Sequence, residues 1–258
     1  MSQLKPILSK AKASAAMAEI RVAMSPQEAV TEAQRCLYCY DAPCIMACPT
    51  GIDVPGFIKK IAHDNVLGAA RTILSANILG NSCARVCPTK VLCEGACVLE
   101  DRDHDPIDIG RLQRYATDVV LDSGQQVLTP ARVKSGKRVA LIGAGPASLS
   151  CAAELALRGH RAVVFERRAR PGGLNTYGIA YYKMKPEVSL REIKMIQDLG
   201  VEIRCGIEVG EAISMEEIRA QFDAVFLGVG LGAGRKLGIP GEDLPEVVEA
   251  IDFIAEIH

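Results

Sequence analysis

Long apolar runs are missing from this sequence: none reaches the ~18 residues of a membrane-spanning helix, and the start lacks the basic-then-apolar layout of a signal peptide. Charge of one sign is missing too, since the formal net charge is −1 and gives no basic surface for nucleic acid or acidic membranes. The four histidines are scattered, and we identify no acid–base pair or nucleophile. We therefore expect a cytoplasmic protein whose chemistry is carried by cofactors rather than by catalytic side chains.

Cysteine is the residue in excess. The chain has ten cysteines, and eight of them lie between Cys36 and Cys97. In a reducing compartment this density indicates metal ligation rather than disulfides. Zinc is the alternative, but zinc sites usually combine two short cysteine pairs with two to four residues between partners. The staggered spacing here fits that pattern poorly.

The eight cysteines form two groups of four along the chain. The first is Cys36-x2-Cys39-x4-Cys44-x3-Cys48-Pro49, and the second is Cys83-x3-Cys87-Pro88-x4-Cys93-x3-Cys97. A cubane cluster takes several thiolates from one tight loop and the last from a distant segment. The first group resembles the bacterial ferredoxin run, although its second gap has four residues instead of two. The spacing predicts two [4Fe–4S] clusters, and it leaves open which cysteines serve which cluster.

Two domains are indicated by a change in hydrophobic period. Ser25, Pro26 and Glu28 predict a capped helix start, and further helices are expected from 53, from 66 and over 109–121. Residues 9–18 are expected to be a helix or a loose tail. We predict an α-helical two-cluster domain over 1–121, a polar linker over 122–136, and an α/β Rossmann-like part over 137–258.

A dinucleotide fingerprint opens the second part. Gly143, Ala144, Gly145, Pro146 and Ala147 follow a predicted strand and lead into a predicted helix. The glycines allow a tight turn and close approach of a pyrophosphate to the helix N-terminus.

Two details complete the fingerprint. Ser148 stands where the pattern has its third glycine. Glu166 ends the next predicted strand, where an acidic side chain accepts hydrogen bonds from the adenosine ribose. FAD and NAD both fit such a unit.

Three strings carry a resemblance to a known family. Residues 35–44 (RCLYCYDAPC), 83–89 (CARVCPT) and 107–114 (IDIGRLQR) closely resemble the N-terminal region of the dihydropyrimidine dehydrogenases, and more distantly that of glutamate synthase small subunits. The resemblance runs from about Glu28 onward.

The resemblance implies a ligand set that spacing does not give. One cluster would be held by Cys36, Cys39, Cys44 and Cys97. The other would be held by Cys48, Cys87, Cys93 and the side-chain oxygen of Gln113. Cys83 would then be a buried neighbour, and Gln113 would otherwise be an ordinary solvent-facing residue.

The resemblance also favours FAD as the dinucleotide, because Gly173 and Leu174 follow the acidic residue as in disulfide-reductase-like flavoproteins. Lys183 stands where relatives have an arginine near the flavin. Val209 matches a position whose backbone meets the adenine.

The function implied is electron transfer in an NAD(P)H-dependent oxidoreductase. Electrons would pass from FAD through both clusters to an FMN-containing partner that reduces uracil or thymine, in a hetero-oligomer. A glutamate synthase-type electron donor, a non-enzymatic iron–sulfur carrier or assembly subunit, and a zinc-stabilised interaction module are the alternatives. In that family the flavin domain continues past a second dinucleotide-binding domain, so we expect the flavin-binding part of this chain to be incomplete and the chain alone to oxidise NAD(P)H poorly.

Overall fold

The computed structural model describes residues 18–100, 104–232 and 234–257. The segment predicted as a helix or tail over 9–18 lies, apart from Ala18, outside these residues. In the described ranges, no helix combines the length and the apolar character needed to cross a membrane. The described residues form an α-helical part followed by an α/β part, which confirms the predicted fold class.

The described residues before Arg138 contain helices joined by loops and no strand, as the sequence predicts. The elements of this first part are α1 (Pro26–Gln34), α2 (Pro43–Met46), α3 (Val54–Ala62), α4 (Val66–Ala76), α5 (Gly80–Val86), a 3₁₀ turn (Thr89–Val91) and α6 (Ile109–Ser123). The short helices α2 and α5 are absent from the sequence-based prediction. They place Cys44 and Cys83 on helices, where we had expected loops.

Local capping chemistry explains where α1 and α3 begin. The Ser25 hydroxyl accepts a hydrogen bond from the Glu28 amide (3.3 Å), and the Glu28 carboxylate accepts one from the Ser25 amide (2.7 Å). The Asp53 carboxylate accepts one from the Gly56 amide (2.9 Å). These side chains satisfy helix N–H groups that have no partner within the helix. Since α1 ends at Gln34, its end delivers Cys36 to the first cysteine loop.

The helical part has its own apolar core. Phe57, Ile58 and Ile61 of α3 pack with Ile73 of α4 and Leu112 of α6, and all five are fully buried. Burial of each such side chain contributes about 1.5–3 kcal/mol relative to exposure. Several cysteines pack against this core, so core and cysteine sites form together.

The second part is built on a parallel sheet. Its strands are β1 (Arg138–Ile142), β2 (Arg161–Glu166), β3 (Glu202–Cys205) and β4 (Ala224–Leu227), in the order β3-β2-β1-β4. Ile142 at the end of β1 pairs with Phe165 on one side and Leu227 on the other. The carboxyl ends of the strands therefore meet at one edge, where open α/β sheets bind their ligands.

Helices cover both faces of this sheet. The described helices of this part are α7 (Pro146–Leu157), α8 (Leu174–Tyr177), α9 (Pro186–Asp198), α10 (Met215–Gln221) and α11 (Ala250–Ile257). Leu149 of α7 and Ile196 of α9 pack on one face, and Ile218 of α10 packs on the other.

The sequence predicts that the last helix starts near Pro245, and the structure contradicts this prediction. Residues 245–249 form a turn and an irregular segment, in which the Val247 amide donates to the Leu244 carbonyl (2.9 Å). The Glu249 carboxylate accepts from the Gly234 amide (2.8 Å). These local bonds compete with a helix, which begins only at Ala250.

The segment between the two parts is anchored along its length. Helix α6 runs two residues further than predicted, to Ser123, and is followed by Gly124, whose left-handed φ of 65° suits glycine. Val127 is buried, and its carbonyl accepts from Arg71 (2.9 Å). The Ala131 amide donates to the Leu157 carbonyl of α7 (2.9 Å). The 122–136 domain boundary itself stays a prediction.

A single buried carboxylate joins the two parts. Glu192 of α9 is fully buried, and its Oε1 accepts from the amides of Asn81 (2.8 Å) and Ser82 (2.9 Å) in α5. The Ser82 hydroxyl donates to Oε2. Burial raises the pKa of Glu192 to about 7, although the bonds from Ser82 and Asn81 and the charge of Arg85 act in the opposite direction.

We expect Glu192→Gln to flatten the pH dependence of stability. The folded chain holds more protons than the unfolded chain between about pH 4.5 and 7, because the pKa is raised on folding; stability must therefore fall as pH rises through that window. Glutamine stays neutral and keeps one acceptor and one donor. Between pH 5 and pH 8, the free energy of unfolding of the variant should rise relative to that of the wild type by on the order of 1–3 kcal/mol. Thermal unfolding at each pH measures this difference.

The control is Glu187→Gln, at an exposed position of the same helix. Its unfolding profile should run parallel to that of the wild type. Parallel profiles for Glu192→Gln as well would show that Glu192 does not titrate in this window.

Candidate cysteine centres and dinucleotide site

The first thiol group surrounds one small cavity. Cys36, Cys39 and Cys44 come from the loop between α1 and α2 and from α2 itself, and Cys97 comes from a segment more than fifty residues further along. The other walls are apolar: Leu37, Pro43, Val54, Pro55, Ile58, Ala96, Val98, Leu99, Ile107 and Ile109. The cavity thus offers soft thiol donors in a setting of low polarity, which suits an iron–sulfur cluster.

The electrostatics of this group oppose free thiolates. Burial raises the pKa of Cys44 to about 11, and the neighbouring Cys36 and Cys97 thiols raise it further. Burial likewise raises the pKa of Cys36, opposed by a hydrogen bond from the Tyr38 amide. Tyr38 has a left-handed φ of 51°, which is unusual for this residue type and turns the loop between Cys36 and Cys39. Cys36 and Cys44 therefore keep their protons near neutral pH unless a metal cation displaces those protons.

The second thiol group consists of Cys48, Cys83, Cys87 and Cys93. Burial raises the pKa values of Cys83 and Cys93 to about 12, and in each case Cys87 and Cys48 are among the neighbours that raise it further. Cys48 differs: burial opposes its ionisation, but the Thr50 hydroxyl and the amides of residues 50–52 outweigh burial and lower its pKa. Cys48 is therefore the member best prepared to bind a metal as a thiolate.

Gln113 lies beside this second group. It is buried on α6, and its side-chain Nε2 donates to the Gly80 carbonyl (2.7 Å). Its side chain also contacts the Cys83 thiol. A solvent-facing glutamine is therefore the wrong interpretation, and the carbonyl oxygen of the side chain remains available for another bond.

The structure thus brings the predicted cysteines together in two sets that differ from the two groups in the sequence. Cys97 joins the first set, and Cys48 joins the second. Within the described ranges, no three His, Cys, Asp or Glu side chains are arranged closely enough to bind one metal ion. A cubane cluster binds each thiolate through a different iron, so its ligand sulfurs stand further apart than those around one zinc ion. The donor sets fit clusters in type and number. The assignment of individual ligands stays a prediction.

A polar network next to the second group was not predicted from the sequence. Arg21 donates to the carbonyls of Ala84 (2.8 Å) and Cys87 (3.1 Å) and to the Thr89 hydroxyl (2.9 Å). Thr89 donates to the buried carboxylate of Glu94 (2.7 Å), which also accepts from the Gly110 amide (2.9 Å). In the sequence these charges look like ordinary surface residues. Only Glu94 stands next to a cysteine in the sequence, and Arg21 gives no such signal.

The dinucleotide fingerprint forms the turn that the sequence predicts. Gly143 has φ 87°, and a Cβ on it would lie 2.7 Å from the Gly228 carbonyl oxygen, so only glycine fits. Gly145 precedes the N-terminus of α7, with Pro146 and Ala147 as its first residues. Gly173 packs against this turn, since a Cβ on it would lie 2.9 Å from the Gly145 Cα. A helix N-terminus with bare backbone around it can receive a pyrophosphate.

Glu166 closes the site from the end of β2. Its carboxylate accepts hydrogen bonds from the amides of Ala144 (2.7 Å) and Arg168 (2.9 Å). Each carboxylate oxygen can accept a second bond. The predicted role at a ribose therefore remains chemically possible, and Glu166 also holds the fingerprint turn.

Ser148, at the third glycine position of the fingerprint, packs against Gly228. Ser148 is fully buried, and its Oγ has no hydrogen-bond partner among the residues that the structure describes. A Cβ built on Gly228 would lie 2.0 Å from that Oγ. Gly228, which follows β4, is thus the glycine that permits close packing between that strand and α7.

The remaining predicted residues are less closely tied to the turn. Leu174 and Lys183 are exposed, and Val209 is half-buried in a bridge with Ile213. Among the described residues, no hydrogen bond or ion pair joins Lys183 or Val209 to the Gly143 turn.

Comparison with known families assigns both parts. Residues 13–125 match the family described as dihydropyrimidine dehydrogenase domain II, 4Fe-4S cluster. Residues 141–181 match the family described as NAD(P)-binding Rossmann-like domain. The chain therefore has a 4Fe-4S domain followed by a dinucleotide-binding Rossmann-like domain.

Several curated proteins are similar over nearly the whole chain. The chain is 42% identical over 236 residues to the NAD-dependent dihydropyrimidine dehydrogenase subunit PreT of Escherichia coli K12, covering 92% of this chain and 56% of that protein. It is 37% identical over 250 residues to the glutamate synthase [NADPH] small chain of Halomonas elongata, covering 97% and 52%. The chain spans about half the length of the curated relatives it matches.

We expect Gly228→Ala to destabilise the α/β part. The added methyl would overlap the Ser148 hydroxyl, and overpacking of this kind costs about 1–3 kcal/mol. The double variant Gly228→Ala/Ser148→Gly should recover part of this loss, because it restores the third glycine of the fingerprint. Thermal unfolding of the two variants measures the difference. A double variant less stable than the single one would show that Ser148 and Gly228 do not compete for the same space.

Proposed function

We propose that this protein passes electrons from FAD through two [4Fe–4S] clusters to a partner protein. Residues 13–125 belong to the dihydropyrimidine dehydrogenase domain II family of 4Fe-4S domains. The chain is also homologous to the N-terminal portion of PreT and of glutamate synthase small chains. The observation that carries the proposal is the pair of partly buried thiol groups in the helical part, one of which lies next to the α/β part. Bound clusters would supply one-electron transfer steps.

The first cluster would be held by Cys36, Cys39, Cys44 and Cys97. The support is their common cavity with apolar walls. Such walls exclude water from the thiolates and keep the local polarity low, which is one of the means by which a protein sets the potential of a cluster.

The second cluster would be held by Cys48, Cys87, Cys93 and Gln113. Gln113 is favoured over Cys83 because its amide nitrogen is held by the Gly80 carbonyl, which leaves the oxygen available for a metal. An amide ligand carries no charge, so it makes the cluster less negative than four thiolates would and shifts its potential.

FAD would bind at the fingerprint turn. Residues 143–147 would receive the pyrophosphate at the N-terminus of α7, and Glu166 would accept from the ribose. Gly173 and Leu174 would lie along the dinucleotide, and Lys183 and Val209 would contact the flavin and the adenine. A nicotinamide dinucleotide at the same turn is the alternative, which the description of the matched family favours. NADH or NADPH would then be the reductant in the longer protein.

The partner would be an FMN-containing subunit that reduces uracil or thymine, in a hetero-oligomer in the cytoplasm. The support is the 42% identity to the NAD-dependent dihydropyrimidine dehydrogenase subunit, against 37% for the glutamate synthase small chain. Because the latter value is close, an electron donor of the glutamate synthase type is the second candidate.

We expect Cys97→Ser to remove one cluster and Cys83→Ser to keep both. Cys97 supplies the distant thiolate of the first set, whereas Cys83 would remain a protonated neighbour. Iron analysis of anaerobically reconstituted protein should fall from about eight to about four irons per chain in the first variant only. Electron paramagnetic resonance identifies which signal is lost.

The two serine variants are matched controls for each other, since each removes one thiol from a buried group. Loss of a cluster signal in the Cys83 variant would overturn the ligand assignment. Retention of both signals in the Cys97 variant would overturn the first cluster.

A further inference from the structure

We propose that Glu192, a residue of the dinucleotide-binding part, is a positioning residue for the second cluster. It would fix the first turn of α5, and through that turn it would place Gln113 and Cys87 around the iron. This inference rests on the proposed function, because it takes the second cluster to be bound at Cys48, Cys87, Cys93 and Gln113.

The contact is a polar anchor in a dry interface. Glu192 has no exposed surface, and Asn81 and Ser82 are buried to nearly the same degree. The Glu192 carboxylate accepts from both amides, at 2.8 and 2.9 Å, and from the Ser82 hydroxyl. Buried polar groups of this kind are costly when unpaired, so removal of the carboxylate leaves two amides and a hydroxyl without partners.

Helix α5 depends on such anchors because it is short. It has seven residues, and isolated helices of this length are not stable in water. Its first turn is held from two sides: Glu192 binds the amides of Asn81 and Ser82, and Gln113 binds the carbonyl of Gly80.

The anchored turn leads directly to the cluster residues. Cys83 follows Ser82 in the chain, and the Cys87 amide donates to the Cys83 carbonyl (2.9 Å) at the end of the helix. A shift of the first turn would therefore move both the hydrogen-bond partner of Gln113 and the start of the segment that presents Cys87.

Other polar contacts hold α5 against α6, whereas Leu79, which directly precedes α5, packs in the apolar core of the second part. The Asn81 side chain donates to Thr117 (2.9 Å) and Asp118 (2.8 Å), and Arg85 pairs with Asp118 (3.0 Å). Among the described residues, Glu192 makes the buried hydrogen bonds through which the dinucleotide-binding part holds the first turn of α5 and so influences the geometry of the second thiol group. The first thiol group has no comparable contact with Glu192 among the described residues.

The test compares Glu192→Gln and Glu192→Leu in the full chain, reconstituted anaerobically. Leucine should weaken or abolish the paramagnetic signal of the second cluster and lower the iron content toward half, with the first signal unchanged. Glutamine should restore both, because it can still accept from the amides. Glu187→Leu and Glu187→Gln, at an exposed position of the same helix, are the controls and should match the wild type.

A second measurement does not depend on iron. Hydrogen–deuterium exchange of the metal-free chain should be about tenfold faster at the amides of Asn81 and Ser82 in Glu192→Leu than in Glu192→Gln, because two buried hydrogen bonds are lost. If Glu192→Leu does not fold, Ser82→Ala removes one of the three bonds and should give a smaller change in the same direction.

Three results would overturn the inference or locate the failure elsewhere. Equal loss of both clusters would mean that Glu192 serves only overall stability. Unchanged exchange and unchanged signals would mean that it positions nothing. A wild-type chain with a single cluster would refute the proposed function, and the exchange measurement would still decide whether Glu192 fixes α5.

Discussion

The burial of thiols from distant parts of the chain is the constraint on which the structure depends. Cys44 and Cys97 have to meet in an apolar cavity, where free thiolates would be poorly solvated and would repel one another. The raised pKa values express this cost, since the thiols keep their protons near neutral pH unless a metal displaces them. The helical part is therefore arranged around sites whose full stabilisation comes from bound clusters, as expected for small metal-binding domains.

The dinucleotide-binding part contributes a turn at a sheet edge and one helix that serves both parts. Helix α9 packs Ile193 and Ile196 against the sheet, and from the same helix Glu192 reaches the first turn of α5. Because the residues next to that turn belong to the second thiol group, the α/β part and that group share one buried contact. The connecting segment is itself anchored by the hydrogen bond between Arg71 and Val127, so the described residues hold the two parts together at two places.

Local signals in the sequence predicted the elements well where they were strong. The capping residues Ser25 and Glu28 mark the start of their helix correctly, and the helix predicted from 109 begins at Ile109. The short helices α2 and α5 could not be predicted, because four and seven residues are too few for a helical period and tertiary contacts stabilise them. Helix α11 begins later than predicted because the hydrogen bonds of Val247 and Glu249 compete with those of an otherwise acceptable helix start.

The cysteine sites show where spacing ends as a source of information. The run from Cys36 to Cys48 looks like one unit in the sequence, yet the fold gives Cys48 to the second group and brings Cys97 to the first. Only the three-dimensional structure, or a resemblance to a known family, can show that Cys48 and Cys97 belong to groups other than those that the spacing suggests. Glu192 gave no signal at all, because a glutamate on a helix is usually exposed and its partner segment lies more than a hundred residues away.

The central claim is that this chain holds two cubane clusters. An anaerobic reductive titration followed by electron paramagnetic resonance tests it most directly, with the spins of the reduced protein integrated against its concentration. The account predicts about two spins per chain, in two signals with different midpoint potentials, because one cluster has four thiolate ligands and the other has three and an amide. A colourless protein that binds zinc, or a single signal near one spin per chain in fully loaded protein, would contradict it.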